Sequence, residues 1–262
     1  MLHKVKAGQI LQTVLENKIP LVMSYLSVRK WHQARVLLTN IKADNFEVKV
    51  SPRKKSQHIE IQTGQSVGMS FKCGYGSGYD KFIFDTTVAE IESSSNSASD
   101  GTIVLAVPEQ IEVVPKDSYL RVEVPESLNV NAQLWHRYST GGEGPATADV
   151  RQNWQGRVVG ISAGDVQIVV DTTQGADFQK GQSIGVRFTP LAFETPLMFN
   201  AQIKEIRSEI ESESIRLDLE IIGLEASPEG RLVLQRLCNV VDEYRRMNQS
   251  GSKEQDTQPI NL

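Results

Sequence analysis

Gly181-Gln182-Ser183-Ile184-Gly185-Val186-Arg187-Phe188 reads as a turn glycine followed by an alternating strand. Gly64-Gln65-Ser66-Val67-Gly68-Met69-Ser70-Phe71 says nearly the same thing in the first half of the chain. This echo decides the fold. Either two barrel strands resemble each other by chance, or two related barrels stand in tandem.

Short strands separated by polar turns surround both copies. In the first half they fall at 36–38, 46–50, 59–61, 66–71, 81–91 and 102–107. In the second half they fall at 121–124, 156–161, 166–170, 183–188, 199–206 and 215–222. Ile215, Leu217, Leu219 and Ile221 alternate with Arg216, Asp218 and Glu220, which predicts one buried and one solvated face. A short helix is expected over 7–17, where Ile10, Leu11, Val14 and Leu15 keep helical spacing and Pro20 follows. A last helix is expected over 228–247, with Ser227 as N-cap and Pro228 in the first helical position. Leu234, Leu237, Val241 and Tyr244 form its apolar stripe, suited to its own barrel or to a dimer contact. The expected fold is mainly β: two tandem small β-barrels with a short N-terminal helix and a C-terminal helix. The expected domains are 1–113, a linker at 114–118, a second barrel with its helix at 119–248, and a disordered tail at 249–262. Residues 93–101 read as a hairpin tip and 138–155 as a long loop.

A chain of 262 residues has room for two ordinary domains. No apolar run approaches the ~20 residues of a membrane span, and the start lacks a signal peptide's apolar run. The expectation is a soluble, cytoplasmic protein. A net charge of −4 argues against binding a nucleic-acid polymer. Cys73 and Cys238 are the only cysteines and are expected to be reduced. His3, His32, His58 and His136 show no metal-ligand spacing, so no metal or cofactor is expected. The glycines between Cys73 and Tyr79 lack the Gly-Lys-Ser/Thr of a phosphate loop. Ser162 is followed by a strand rather than the helix of a nucleophile elbow. Glu209, Glu211 and Glu213 alternate as on a solvated strand face, and Arg53-Lys54-Lys55 reads as a basic turn. Trp31, Trp135 and Trp154 suit packing better than sugar stacking. Nothing here makes an enzyme.

Two segments of the second half carry a resemblance. They are Tyr119-Leu120-Arg121-Val122, after Lys116-Asp117-Ser118, and Gly160-Ile161-Ser162-Ala163-Gly164-Asp165. With Phe82-Ile83-Phe84-Asp85-Thr86, Leu105-Ala106-Val107-Pro108 and the two glycine-led strands, they make residues 20–248 similar to the PilZ family, in its two-domain, YcgR-like flagellar brake form. The resemblance implies a non-enzymatic cyclic di-GMP receptor, with a PilZ-like N-terminal barrel before the PilZ domain. The family's R-x-x-x-R linker forks arginines onto phosphate or guanine. Its D/N-x-S-x-x-G turn offers short polar groups and a glycine. Carried over, Arg121 matches the second arginine, Lys116 a basic residue before the motif, and Ser162 the serine. Gly164 completes the implied cyclic di-GMP-binding set. The motif is degenerate at Asp117, Gly160 and Asp165, which stand for Arg, Asp/Asn and Gly. Losing one arginine contact (~1.5–3 kcal/mol) and one hydrogen bond (~0.5–1.5 kcal/mol), with repulsion and backbone strain at Asp165, together is expected to weaken binding on the order of a thousandfold.

Two functions follow. One is a signalling or adaptor protein of the cyclic di-GMP system with weakened or lost binding, touching motility and meeting an unidentified protein partner in flagellar or surface-behaviour machinery. The other is a working cyclic di-GMP receptor with a non-standard set of contacts.

Overall fold

The computed structural model describes residues 3–28, 30–50, 59–74, 80–92, 101–136, 153–171, 178–208 and 213–255. The chain divides into two compact units, Met1–Lys116 with Gly223–Leu232, and Asp117–Ile222 with Val233–Leu262.

The first unit holds β1 (His3–Lys6), α1 (Ala7–Glu16), β2 (Pro20–Ser27), β3 (Lys30–Ile41), β4 (Asn45–Val50), β5 (Ser66–Cys73), β6 (Asp80–Glu92), β7 (Thr102–Ala106) and β8 (Gln110–Val114). Strands run β6-β5-β2-β3-β4-β7, and a β6–β7 pairing closes a six-stranded antiparallel barrel. β8 and β1 extend the sheet beyond β6. Leu21, Met23, Val36, Phe46, Val48, Met69, Phe84 and Leu105 fill the interior, joined by Leu11 and Val14 of α1.

The second unit holds β9 (Val122–Glu123), β10 (Asn131–His136), β11 (Asn153–Ile161), β12 (Asp165–Asp171), β13 (Ser183–Phe188), β14 (Leu197–Ser208) and β15 (Ser214–Ile222). Its barrel runs β10-β13-β14-β15-β12-β11 and closes through β10–β11, with β9 alongside β11. Alternation builds it. Val166, Ile168 and Val170 of β12 are buried, and Asp165, Gln167 and Val169 lie on the outer face.

The two barrels follow the same circuit when β2–β7 are matched in order with β10–β15. The match reaches individual hydrogen bonds. Gly64 (φ 82°) donates to the Val88 carbonyl, and the Val88 N–H donates to the Gln65 carbonyl. Gly181 (φ 86°) and Gln182 make the same pair of bonds with Ile203. The Gln65 and Gln182 side chains each accept a backbone N–H three residues back at 3.0 Å. Register shifts recur between Leu38/Asn40 and Val158/Gly160, and between Val88/Glu90 and Ile203/Glu205. Chance likeness of two strands does not produce this; the echo is that of two related barrels.

Each echoed strand carries a glycine that lets something press on the sheet. A Cβ on Gly185 would lie 2.1 Å from the Trp135 indole. A Cβ on Gly68 would lie 2.6 Å from Cγ of Glu225 and 2.7 Å from the Ala226 nitrogen. Ser24, opposite Gly68 in the ladder, donates its hydroxyl to Glu225 at 2.5 Å. Residues 224–226 therefore cover the outer face of β2 and β5, and residues 223–232 belong to the first unit. This is why β5 is buried on both faces.

α2 (Pro228–Gln255) starts as expected. The Ser227 hydroxyl accepts the Gly230 N–H at 3.0 Å, and its carbonyl accepts from Arg231. Leu234, Leu237, Val241 and Tyr244 are buried within the protein, and the Tyr244 hydroxyl donates to the Pro190 carbonyl at 2.6 Å. The helix continues past 247 to Gln255, through Ser250, whose hydroxyl donates to the Arg246 carbonyl at 3.0 Å, and Gly251, where the disordered tail was expected; residues 256–262 lie outside the described residues.

Other expectations need correction. Residues 59–61 form no strand; the chain there approaches the Gly64 turn, and Ile59 and Ile61 pack on the core from outside the ladder. β2 begins on Pro20, a breaker that is tolerated as a strand's first residue. The expected loop at 138–155 ends early, because 153–155 pair with β10; 137–152 lie outside the described residues. So do Arg53-Lys54-Lys55, His58, most of 73–79 and 93–101, and Glu209 and Glu211. Glu213 stands at the bend before β15. Cys73 and Cys238 are free thiols, Cys73 half-buried and Cys238 buried. No helix among the described residues is long and apolar enough to cross a membrane.

Candidate ligand site on the second barrel

Arg121 was expected on a strand. The structure places it between a 3-10 turn (Lys116–Tyr119) and the two-residue β9. The turn closes with Leu120 N–H donating to the Asp117 carbonyl at 3.0 Å. Lys116 is exposed and ends the first unit. Asp117 is exposed, and its carbonyl accepts from Arg245 Nη2 at 2.7 Å.

Arg121 reaches the outer face of β12 and β15. Its Nε donates to Asp165 Oδ1 at 2.8 Å, and its Nη1 donates to Asp218 Oδ1 at 3.2 Å. Asp218 also accepts from Gln167 Nε2 at 2.6 Å and pairs with Arg207 Nη2 at 3.3 Å. Arg207 meets Glu205 at 2.7 Å, and that guanidinium holds the Glu205 carboxyl below its ordinary range. Arg121 and Arg207 thus share the three carboxylates Asp165, Asp218 and Glu205.

Gly160 lies under the stem of Arg121. A Cβ there would come 3.2 Å from Arg121 Cδ and 3.0 Å from Gln167 Oε1, both at movable side chains. Gly164 is needed for another reason than a left-handed backbone. A Cβ would come 2.9 Å from the Tyr119 ring. Asp165 is not among the residues with positive φ, so the strain expected there is absent. Its effect is one of charge.

Ser162 is fully buried. Its hydroxyl oxygen accepts the N–H groups of Gly164 (3.1 Å) and Asp165 (3.0 Å). The Ser162 N–H donates to the Asp165 carbonyl at 2.8 Å, and the Ala163 N–H to the Ser118 carbonyl at 2.7 Å. Ser162 therefore braces the turn. The corresponding turn of the first barrel, at 42–45, closes with the same Lys42-to-Asn45 backbone bond without such a serine.

Of the residues named from sequence, Arg121, Gly160 and Asp165 come together, and Ser162 and Gly164 shape the turn beside them. Asp218, Gln167, Arg207 and Tyr119 join the site without having been named as site residues. Asp218 sat in the alternating polar set of β15, which reads as solvated. It is 8% exposed because Arg121 folds over it.

The remaining candidates are packed. Trp154 is buried, Trp135 lies over Gly185, and Trp31 lies over Gly223. His32 stacks on Tyr25, with centroids 5.4 Å apart. His136 meets Trp154 edge-on and Gln182 at 2.6 Å, and burial pulls its pKa down. Among the described residues no group of three or more His, Cys, Asp or Glu is placed to hold a metal ion.

No protein-family model and no curated protein matches the chain. Solved structures do. YcgR from Escherichia coli in complex with c-di-GMP is 17% identical, over 97% of this chain and 96% of that one, with a TM-score of 0.36. MrkH of K. pneumonia in its apo state is 13% identical, over 94% and 98%, with a TM-score of 0.47. The Bacillus subtilis inhibitor of motility MotI/DgrA is 16% identical, over 88% and 97%, with a TM-score of 0.33.

Proposed function

We propose that this chain is a two-domain, YcgR-like PilZ protein whose cyclic di-GMP site is closed by its own acids. It works as a non-enzymatic signalling or adaptor protein of the cyclic di-GMP system, with binding weakened or lost. A role in motility or surface behaviour goes with that class, through a protein partner.

The observation that carries this reading is the double engagement of Arg121 by Asp165 and Asp218. A phosphate needs the same guanidinium donors. It must displace two carboxylates and then lie beside them. Each displaced charge-assisted bond is worth roughly 1.5–3 kcal/mol, offset in part by water because Arg121 and Asp165 are over a third exposed. Asp218, with 11% of its side chain exposed, is the harder one to leave without Arg121. Asp117 and Gly160 remove two further contacts.

Calorimetry on the variant Asp117→Arg, Gly160→Asn, Asp165→Gly, Asp218→Asn, which frees Arg121 of both acids, tests this. Micromolar cyclic di-GMP binding should appear. A folded variant that stays silent at millimolar nucleotide would refute the reading of the site.

A further inference from the structure

The segment at 117–124 is fastened to the second barrel along its length. The Asp117 carbonyl accepts from Arg245, and the Ser118 carbonyl from Ala163. Tyr119 lies on Gly164. Val122 and Glu123 pair with Ile161 and Gly160. The Glu123 carbonyl accepts from Asn248 Nδ2 at 3.0 Å, and the Val124 N–H donates to the Val159 carbonyl at 3.1 Å. In the middle, the side chain of Arg121 is held by two carboxylates. Asp165 and Gln167 of β12 stand opposite Glu220 and Asp218 of β15, so both aspartates project from one face and flank the guanidinium.

We infer that Asp165 and Asp218 are a resident counter-anion: they latch residues 117–124 onto the second barrel through Arg121 with no ligand bound. An arginine on a short irregular segment, facing a barrel turn, needs an anion to hold it there. In this chain the barrel supplies it. The segment is then ordered without nucleotide, and its order depends on charge and salt. The inference rests on the proposed function only for the identity of the anion replaced.

Hydrogen exchange on the full chain tests it, read at the amides of Leu120 and Val124, whose acceptors are the Asp117 and Val159 carbonyls. In Asp165→Asn/Asp218→Asn, protection of both amides should fall about tenfold, equivalent to ~1.4 kcal/mol. Wild type in 1 M salt should move the same way. Ile168 and Val186, inside the barrel, should keep their protection. Asn retains the shape of Asp and an acceptor for Gln167. If the double variant loses protection at Ile168 as well, Arg121→Gln decides, since it removes the cation from the surface side. Unchanged protection at Leu120 and Val124 in these variants and in salt would overturn the latch. The two proposals fail separately. Tight nucleotide binding by wild type would end the closed-site reading and leave the latch of the ligand-free protein standing. A chain that ignores both nucleotide and loss of the acids would end the latch alone.

Discussion

Replacing Ser162 by alanine separates a turn brace from a ligand contact. The Ser162 oxygen accepts two backbone N–H groups and is fully buried. Alanine removes both bonds and offers no other acceptor. Each is worth ~1 kcal/mol net, so the loss is ~2 kcal/mol. Gly164 and Asp165 are half-buried, so water recovers part of it and sets a floor of ~1 kcal/mol. The assay is urea unfolding followed by fluorescence in a Trp31→Phe background, where Trp135 and Trp154 report on the second barrel. The midpoint should fall in the ligand-free protein with the slope unchanged. A loss under ~0.5 kcal/mol would refute the brace.

Gly185→Ala should destabilise the second barrel by ~1–3 kcal/mol, since its Cβ would enter the Trp135 indole; combining it with Trp135→Leu should recover part of that, and no loss in the single variant would contradict the packing. Burial raises the Tyr244 pKa above its ordinary 10.0, so the folded chain keeps its proton where the unfolded chain loses it. The share of stability due to Tyr244 should therefore be present below pH 10 and lost above it, in unfolding curves at pH 9 and 11, with the decline smaller in Tyr244→Phe, where Tyr25 and Cys238, also raised by burial, still contribute. A variant with the same alkaline slope would point to another group. Burial lowers the His136 pKa, so stability should fall as pH drops below its ordinary 6.5; His136→Gln should flatten that slope if the assignment holds.

The fold was legible because turn glycines and alternation are local signals. Gly64 and Gly181 mark their turns through φ values that few other residues accept. Period two then fixes which side of β12, β13 and β15 is buried. The circuit shared by the barrels was only hinted at, since its proof lies in bonds between residues far apart in sequence. The candidate site was half legible. Arg121, Gly160 and Asp165 could be named from a motif, and Asp165 could be seen as a charge in a glycine's place. Asp218 could not, because β15 is brought beside Arg121 only when the barrel closes. Ser162 carried the opposite difficulty. Its motif position suggested a ligand, while its neighbours' N–H groups had already claimed its oxygen.

Titration calorimetry of the wild-type chain with cyclic di-GMP bears most directly on the central claim, that Arg121 already has its anions. The account predicts no saturable heat below the millimolar range. Saturation with a Kd tighter than about 10 μM would show that Asp165 and Asp218 yield to the nucleotide, and the closed site would be wrong.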